Sequence, residues 1–235
     1  MARGDIRLYE RSRTLSTRRS LTRTTSMQPT PSPAPGETAT HTRKITRKDL
    51  EKTQVIGQVD SKFIVALSTN TLLIFDQHAA DERVKLERYM NQLLSRENVL
   101  LVSPSIRVRL TAIEVYTLLS NTAIVEMWGL LLRPHDEQEV CINTLPNVIH
   151  DRLLKDHSLL RDILRECVDA HNQHTSHTPP TLLNLINSKA CRNAFKFGDV
   201  LSNTQSQALI SALSQTKNPY QCAHGRPTLY PLLEC

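Results

Sequence analysis

TLLIFDQHAADERVKLERYMNQLL, residues 71–94, is the stretch whose reading decides the fold. Leu72 to Phe75 is a short apolar and aromatic run of the kind that forms a strand. Phe63 to Leu67 is a second, and Ser68, Thr69 and Asn70 between them read as the turn of a hairpin. Behind the second run, Val84, Leu86, Tyr89 and Leu93 suggest a helix. A strand therefore hands the chain to a helix at Asp76, and two rigid elements place the polar residues of the junction.

Working outward, order is expected to begin near Gln54, where the composition turns apolar. Val99 to Val102 and Ile106 to Leu110 read as further strands, the latter alternating Ile106, Val108 and Leu110 on one face with Arg107 and Arg109 on the other. Thr111 to Trp128 reads as a helix, and Leu130 to Leu132 could pair with Val140 to Leu145 around a polar turn at Pro134 to Glu139. Helices are expected at Leu153 to Ala170 and Leu182 to Asn187, with a polar loop from His171 to Pro180 between them. The last helix starts at Ser202, where Gln205 three residues on completes a capping box. This pattern gives an α+β fold: a β-sheet with packed helices over residues 54–233, carrying a smaller, mainly helical subdomain at roughly 112–180.

The chain has 235 residues and a formal charge of +6, and its charge is unevenly spread. Residues 1–50 hold 11 Lys and Arg against 4 Asp and Glu, a surplus of +7, whereas residues 51–235 hold 18 against 19, a balance of -1. The first 50 residues are dominated by Ser, Thr, Pro and Arg, with Tyr9 as the one aromatic. Such a segment buries too little apolar surface to offset its ordering entropy, so disorder is expected. A basic flexible arm can hold DNA phosphates through counterion release. A linker or a targeting sequence is the other reading, although Asp5 and Glu10 count against a mitochondrial presequence. No run approaches the roughly 18 apolar residues of a membrane span. The five cysteines are widely spaced and odd in number, which fits reduced thiols, some of them metal ligands, better than a disulfide framework.

Three pieces of sequence offer metal ligands. If the helix begins near Gln77, His78 and Glu82 are four residues apart and share a face, with Asp76 at the strand end able to reach the same ion or a neighbouring one. Glu87 lies about 140° farther round the helix and suits that ion poorly. Cys222 and His224, in QCAHGRP, can point the same way from an extended turn, which Gly225 permits and Pro227 keeps from becoming helical. Cys191, in ACR, is the third piece. Taken singly, each of these is commonly structural; together they offer nitrogen, sulfur and oxygen donors suited to Zn2+, with Mn2+ or Mg2+ where carboxylates dominate. No Gly-rich phosphate loop, dinucleotide fingerprint or G-x-S-x-G elbow is present, so no ATP site is expected in this chain.

The runs DQHAADERVKLE, ACR and CAHGRP resemble the three metal-site motifs of the endonuclease-competent MutL mismatch-repair proteins, in their C-terminal dimerisation domain. GQVDSKFIVAL, NAFKFGDVLS and NPYQCAHGRPTLYPL flank them in the expected order, and the wording is most similar to the eukaryotic meiotic branch, MutL homologue three. The resemblance implies a metal site of Asp76, His78, Glu82, Cys191, Cys222 and His224, with catalytic roles for Asp76 and Glu82. It assigns Glu87 a supporting part and leaves Arg83 and Arg226 between anion binding and plain surface charge. It further implies a nucleus-localised subunit that nicks double-stranded DNA in mismatch repair or meiotic recombination. The partner would be MutL homologue one, or a second copy if the chain is bacterial-like. The ATPase region that precedes this domain in the family is not in this sequence, so coupling to an ATP cycle is not expected of it. The competing reading is a non-catalytic dimerisation module that a metal merely stabilises. Cys235 stays unassigned.

Overall fold

The structure, a computed structural model, describes residues 45–95 and 98–234. In chain order the elements are α1 (Arg47–Glu51), β1 (Gln54–Val59), β2 (Phe63–Ser68), β3 (Thr71–Asp76), α2 (Gln77–Leu94), β4 (Val99–Arg109), α3 (Ala112–Ser120) and α4 (Ala123–Glu126). They continue with β5 (Leu132–Asp136), β6 (Glu139–Pro146), α5 (His150–Lys155), α6 (Ser158–Asn172), α7 (Pro180–Asn193), α8 (Asn203–Ser214) and β7 (Leu229–Glu234). The fold is α+β, with two antiparallel sheets ordered β1-β2-β3-β7 and β4-β6-β5.

Alternation in the first sheet sets its two faces. Ile64, Ala66, Leu73 and Phe75 are buried on one of them, where they join Leu201, Leu209, Ile210, Leu213 and Leu229 in a small core. A larger core forms where β4 and β6 turn Ile106, Val108, Val140 and Ile142 toward Leu160, Ile163 and Leu164 of α6 and Leu182 and Ile186 of α7. Helix α2 serves both: Ala80 belongs to the small core, and Leu86 and Leu93 belong to the large one.

Three expectations are corrected in detail. Residues 45–50 are not a disordered tail, because Thr46 caps α1 in a capping box with Asp49 and Leu50 is buried in the small core; the rest of that expectation lies outside the described residues. The helix expected over 111–128 breaks after Ser120, and the one expected over 153–170 breaks at Asp156, whose carboxylate accepts the Ser158 N–H and hydroxyl. The second sheet begins at Val99, and the large core takes side chains from β4, β6, α2, α6 and α7.

Candidate metal centre

Asp76 closes β3 and caps α2: its backbone is extended and its Oδ1 accepts the Ala79 N–H at 2.9 Å. This cap fixes the phase of the helix, so the following residues leave it in known directions. His78 and Glu82 share one face, with His78 Nε2 3.5 Å from Glu82 Oε2. His78 Nδ1 lies 2.7 Å from the Phe195 carbonyl. A carbonyl can only accept, so Nδ1 carries a proton, and in the neutral ring the lone pair lies on Nε2. That Nε2 is also 3.7 Å from the Cys191 sulfur on α7. On its other side, Glu82 Oε1 is 2.8 Å from His224 Nδ1, and the His224 N–H donates to the Cys222 sulfur at 3.3 Å.

Two ligand groups result, His78–Glu82–Cys191 and Glu82–Cys222–His224, each with its ligand atoms within 4.8 Å of one another. Glu82 belongs to both. Its side chain is only 2% exposed, and among the described residues no Lys or Arg forms an ion pair with it. Burying a carboxylate without a cation is costly. Burial also pushes the Cys222 thiol up, the N–H groups of His224 and Arg226 pull it down, and Glu82 pushes it up again. A divalent cation beside these groups relieves both costs, since it neutralises the carboxylate and favours the thiolate. The donors therefore fit divalent metal.

Neighbouring residues on α2 hold the two outlying pieces in place. Toward the ACR and FKFGD segments, the buried Gln77 carboxamide donates to the carbonyls of Ser61, Lys196 and Asp199. Asp81 accepts the Phe195 N–H at 2.8 Å, and Lys85 donates to the Asn193 carbonyl at 2.7 Å. Toward the CAHGRP turn, the buried Arg83 guanidinium donates to the carbonyls of Gln221 and Cys222. Glu87 accepts the N–H groups of Lys217 and Asn218 at 2.6 and 3.2 Å. Gly225, at φ +81°, closes the turn with an N–H to the Cys222 carbonyl at 3.1 Å.

Five of the six residues expected as ligands are thus brought together: His78, Glu82, Cys191, Cys222 and His224. Asp76 falls outside both groups and is engaged as the helix cap. Glu87 is likewise outside them and secures the loop. Arg83 binds carbonyls and the Glu87 carboxylate (3.7 Å), and the Arg226 side chain is exposed. Cys235 lies outside the described residues. Sequence reasoning missed Gln77 and Asp81, whose signal was polarity at helix positions that face the protein interior. It also missed an exposed grouping of His135, Asp136 and Glu139 at the β5–β6 turn.

Fold and site together define an α+β domain with a Cys, His and carboxylate cluster gathered around the buried Glu82 where a strand meets a helix. Residues 56–201 match the family model of the MutL C terminal dimerisation domain. The chain belongs to that family. It is 33% identical over 208 residues to the DNA mismatch repair protein MLH3 of Arabidopsis thaliana, a match covering 81% of this chain and 18% of that protein. Against the DNA mismatch repair protein MutL of Halothermothrix orenii it is 30% identical over 192 residues, covering 80% and 29%. Against MLH3 of Saccharomyces cerevisiae it is 28% identical over 231 residues, covering 81% and 32%. The chain thus spans less than a third of the length of these relatives. No helix among the described residues is long and apolar enough to cross a membrane.

Proposed function

We propose that this chain is the nicking subunit of a MutL-type DNA mismatch-repair dimer, hydrolysing phosphodiester bonds of double-stranded DNA with divalent metal. Zn2+ suits the two groups, each of which holds one thiol and the shared Glu82 carboxylate, and a second Mn2+ or Mg2+ would draw on a further oxygen donor. The observation that carries this reading is Glu82, buried with no Lys or Arg ion pair among the described residues and directing its two oxygens at separate ligand groups. Bound metal would supply charge neutralisation at the phosphoryl oxygens and a lowered pKa for water. The chain's own part is positional. His78 is held in one tautomer by the Phe195 carbonyl, Arg83 and Glu87 fix the Cys222–His224 turn, and Asp76, with Oδ1 tied to the Ala79 N–H, offers Oδ2 to orient the attacking water and take its proton. Nothing among the described residues resembles a base-reading helix, so cleavage follows the backbone with little sequence preference.

The partner is a second MutL-family subunit, MutL homologue one in a eukaryotic nucleus or a second copy in a bacterial setting. It sits on the outer face of the first sheet, where Val59, Leu67, Tyr230 and Leu233 are exposed and apolar across neighbouring strands. Tyr230→Asp with Leu233→Asp should dissociate the dimer in light scattering.

The deciding experiment is conversion of supercoiled plasmid to nicked circle by the chain with its partner in Mn2+. Asp76→Asn should lower the rate by about 100-fold or more. If the wild type gives no metal-dependent nicking, the reading fails and the chain is a dimerisation module whose metal stabilises the fold.

A further inference from the structure

Residues 51–235 are nearly neutral, yet one cleft away from the ligand groups collects cations. It has a volume of about 210 Å3 and is lined by Arg107, Val108 and Arg109 of β4 together with His157, Ser158 and Arg161 at the start of α6. Arg107 and Arg109 share the solvent face of the strand because Val108 between them is buried in the large core. Arg161 lies one turn into α6 from His157. All three arginines are exposed.

Among the described residues, neither Arg107 nor Arg161 has an ion-pair partner. Arg109 has one, Glu139 at 3.8 Å, with the Arg109 side chain 76% exposed, and an exposed pair at that distance holds its arginine weakly. The acid next to the cleft, Asp156, accepts the Ser158 N–H and hydroxyl. The cleft therefore combines three guanidinium groups from two elements with the positive end of a 15-residue helix. Guanidinium forks match phosphate oxygens in geometry as well as in charge.

The geometry points to a phosphate-binding cleft that holds the backbone of duplex DNA, a second contact surface built on β4 and α6 away from the ligand groups. It rests on the DNA-nicking reading for its ligand and not on the metal centre for its residues. A strand phosphate in the cleft bonds to Arg107 and Arg161, and Arg109 and His157 flank it. Binding there releases condensed counterions and carries no sequence information.

The test is fluorescence anisotropy of a labelled duplex with the full chain in chelator, so that neither cleavage nor bound metal contributes. Arg107→Gln with Arg161→Gln should weaken binding by about tenfold at low salt and make the plot of log affinity against log salt shallower by about 2. Lys48→Gln with Lys52→Gln, on and just after α1 and equal in charge, should change the slope less. Exposed arginines are replaced, so thermal unfolding should stay at the wild-type temperature. DNA binding that is absent in the wild type, or unchanged in affinity and slope in the arginine variant, overturns the proposal. If inorganic phosphate still raises the wild-type melting temperature in that case, the cleft takes a free anion; if partner affinity falls instead, it takes an acidic protein segment. Binding lost in the variant by a wild type that never nicks overturns the nicking reading and keeps this one; nicking with variant binding undiminished does the reverse.

Discussion

The two cores are held together by different means. In the large core, apolar side chains from β4, β6, α6 and α7 interlock, and Thr144 is the buried polar group within its sheet. Around the small core, Gln77, Asp81, Glu82, Arg83, Thr216 and Thr228 are all buried. Most of their hydrogen bonds run to backbone groups of distant segments, such as Gln77 to Lys196 and Arg83 to Cys222. Apolar packing tolerates small shifts, whereas ligand positions do not. The region bearing the site therefore uses directional bonds to fix loops that hydrophobic burial alone would leave adjustable.

The strongest challenge to this contrast is a cavity in the large core. Leu160→Ala, at a fully buried position, should lower unfolding free energy by about 2–5 kcal/mol in denaturant titration. The protein that remains folded should bind Zn2+ with wild-type affinity; weakened binding would erase the division of labour. Arg83→Met should do the opposite, lowering Zn2+ affinity by about 10–100-fold in a chelator competition by freeing the carbonyls of Gln221 and Cys222. Unchanged affinity would show that the turn holds itself.

Thr144→Val sharpens the comparison from the other side. Its hydroxyl donates to the Gly129 carbonyl and accepts the Leu131 N–H, both at 2.9 Å, so its removal should cost about 1–3 kcal/mol with no effect on metal. The smallest effect concerns the thiols. Burial, with Glu166 nearby, pushes Cys167 up to about 12. Below the ordinary thiol value the proton is present in folded and unfolded chain alike, and the full contribution to stability remains. As pH rises from about 9 toward 12 the unfolded chain releases it first, so stability should fall across that window. At pH 8, iodoacetamide should label Cys141, which is partly exposed, well before Cys167.

The junction at Asp76 was legible because its signals are local: a strand run, the acidic residue at its end and an i,i+4 pair all lie between Leu72 and Glu82. Ser202 with Gln205 was legible for the same reason, and the capping box is present as expected. Strand β7 was not. Pro231 makes its run read as irregular, but β7 lies at the edge of the first sheet, where a missing N–H is tolerated. Its absence from the sequence reading hid how the CAHGRP turn is anchored. Thr228, just before β7, accepts the Asp76 N–H at 3.0 Å and ties that turn to the start of α2. The breaks at Asn121 and Asp156 were hidden in apolar periodicity that runs through both. Gln77 and Asp81 were not singled out because their partners are carbonyls and N–H groups more than a hundred residues away, which no local pattern reveals.

Helix α2 is rooted in both hydrophobic centres, and this makes the domain indivisible. Excising residues 99–193 would strip the cover from Leu86 and Leu93 and discard Cys191 in the same cut. Trimming from the other end would remove the sheet strand that ends at Asp76. Any shortened form that drops either half would lose part of the ligand cluster or the frame that positions it.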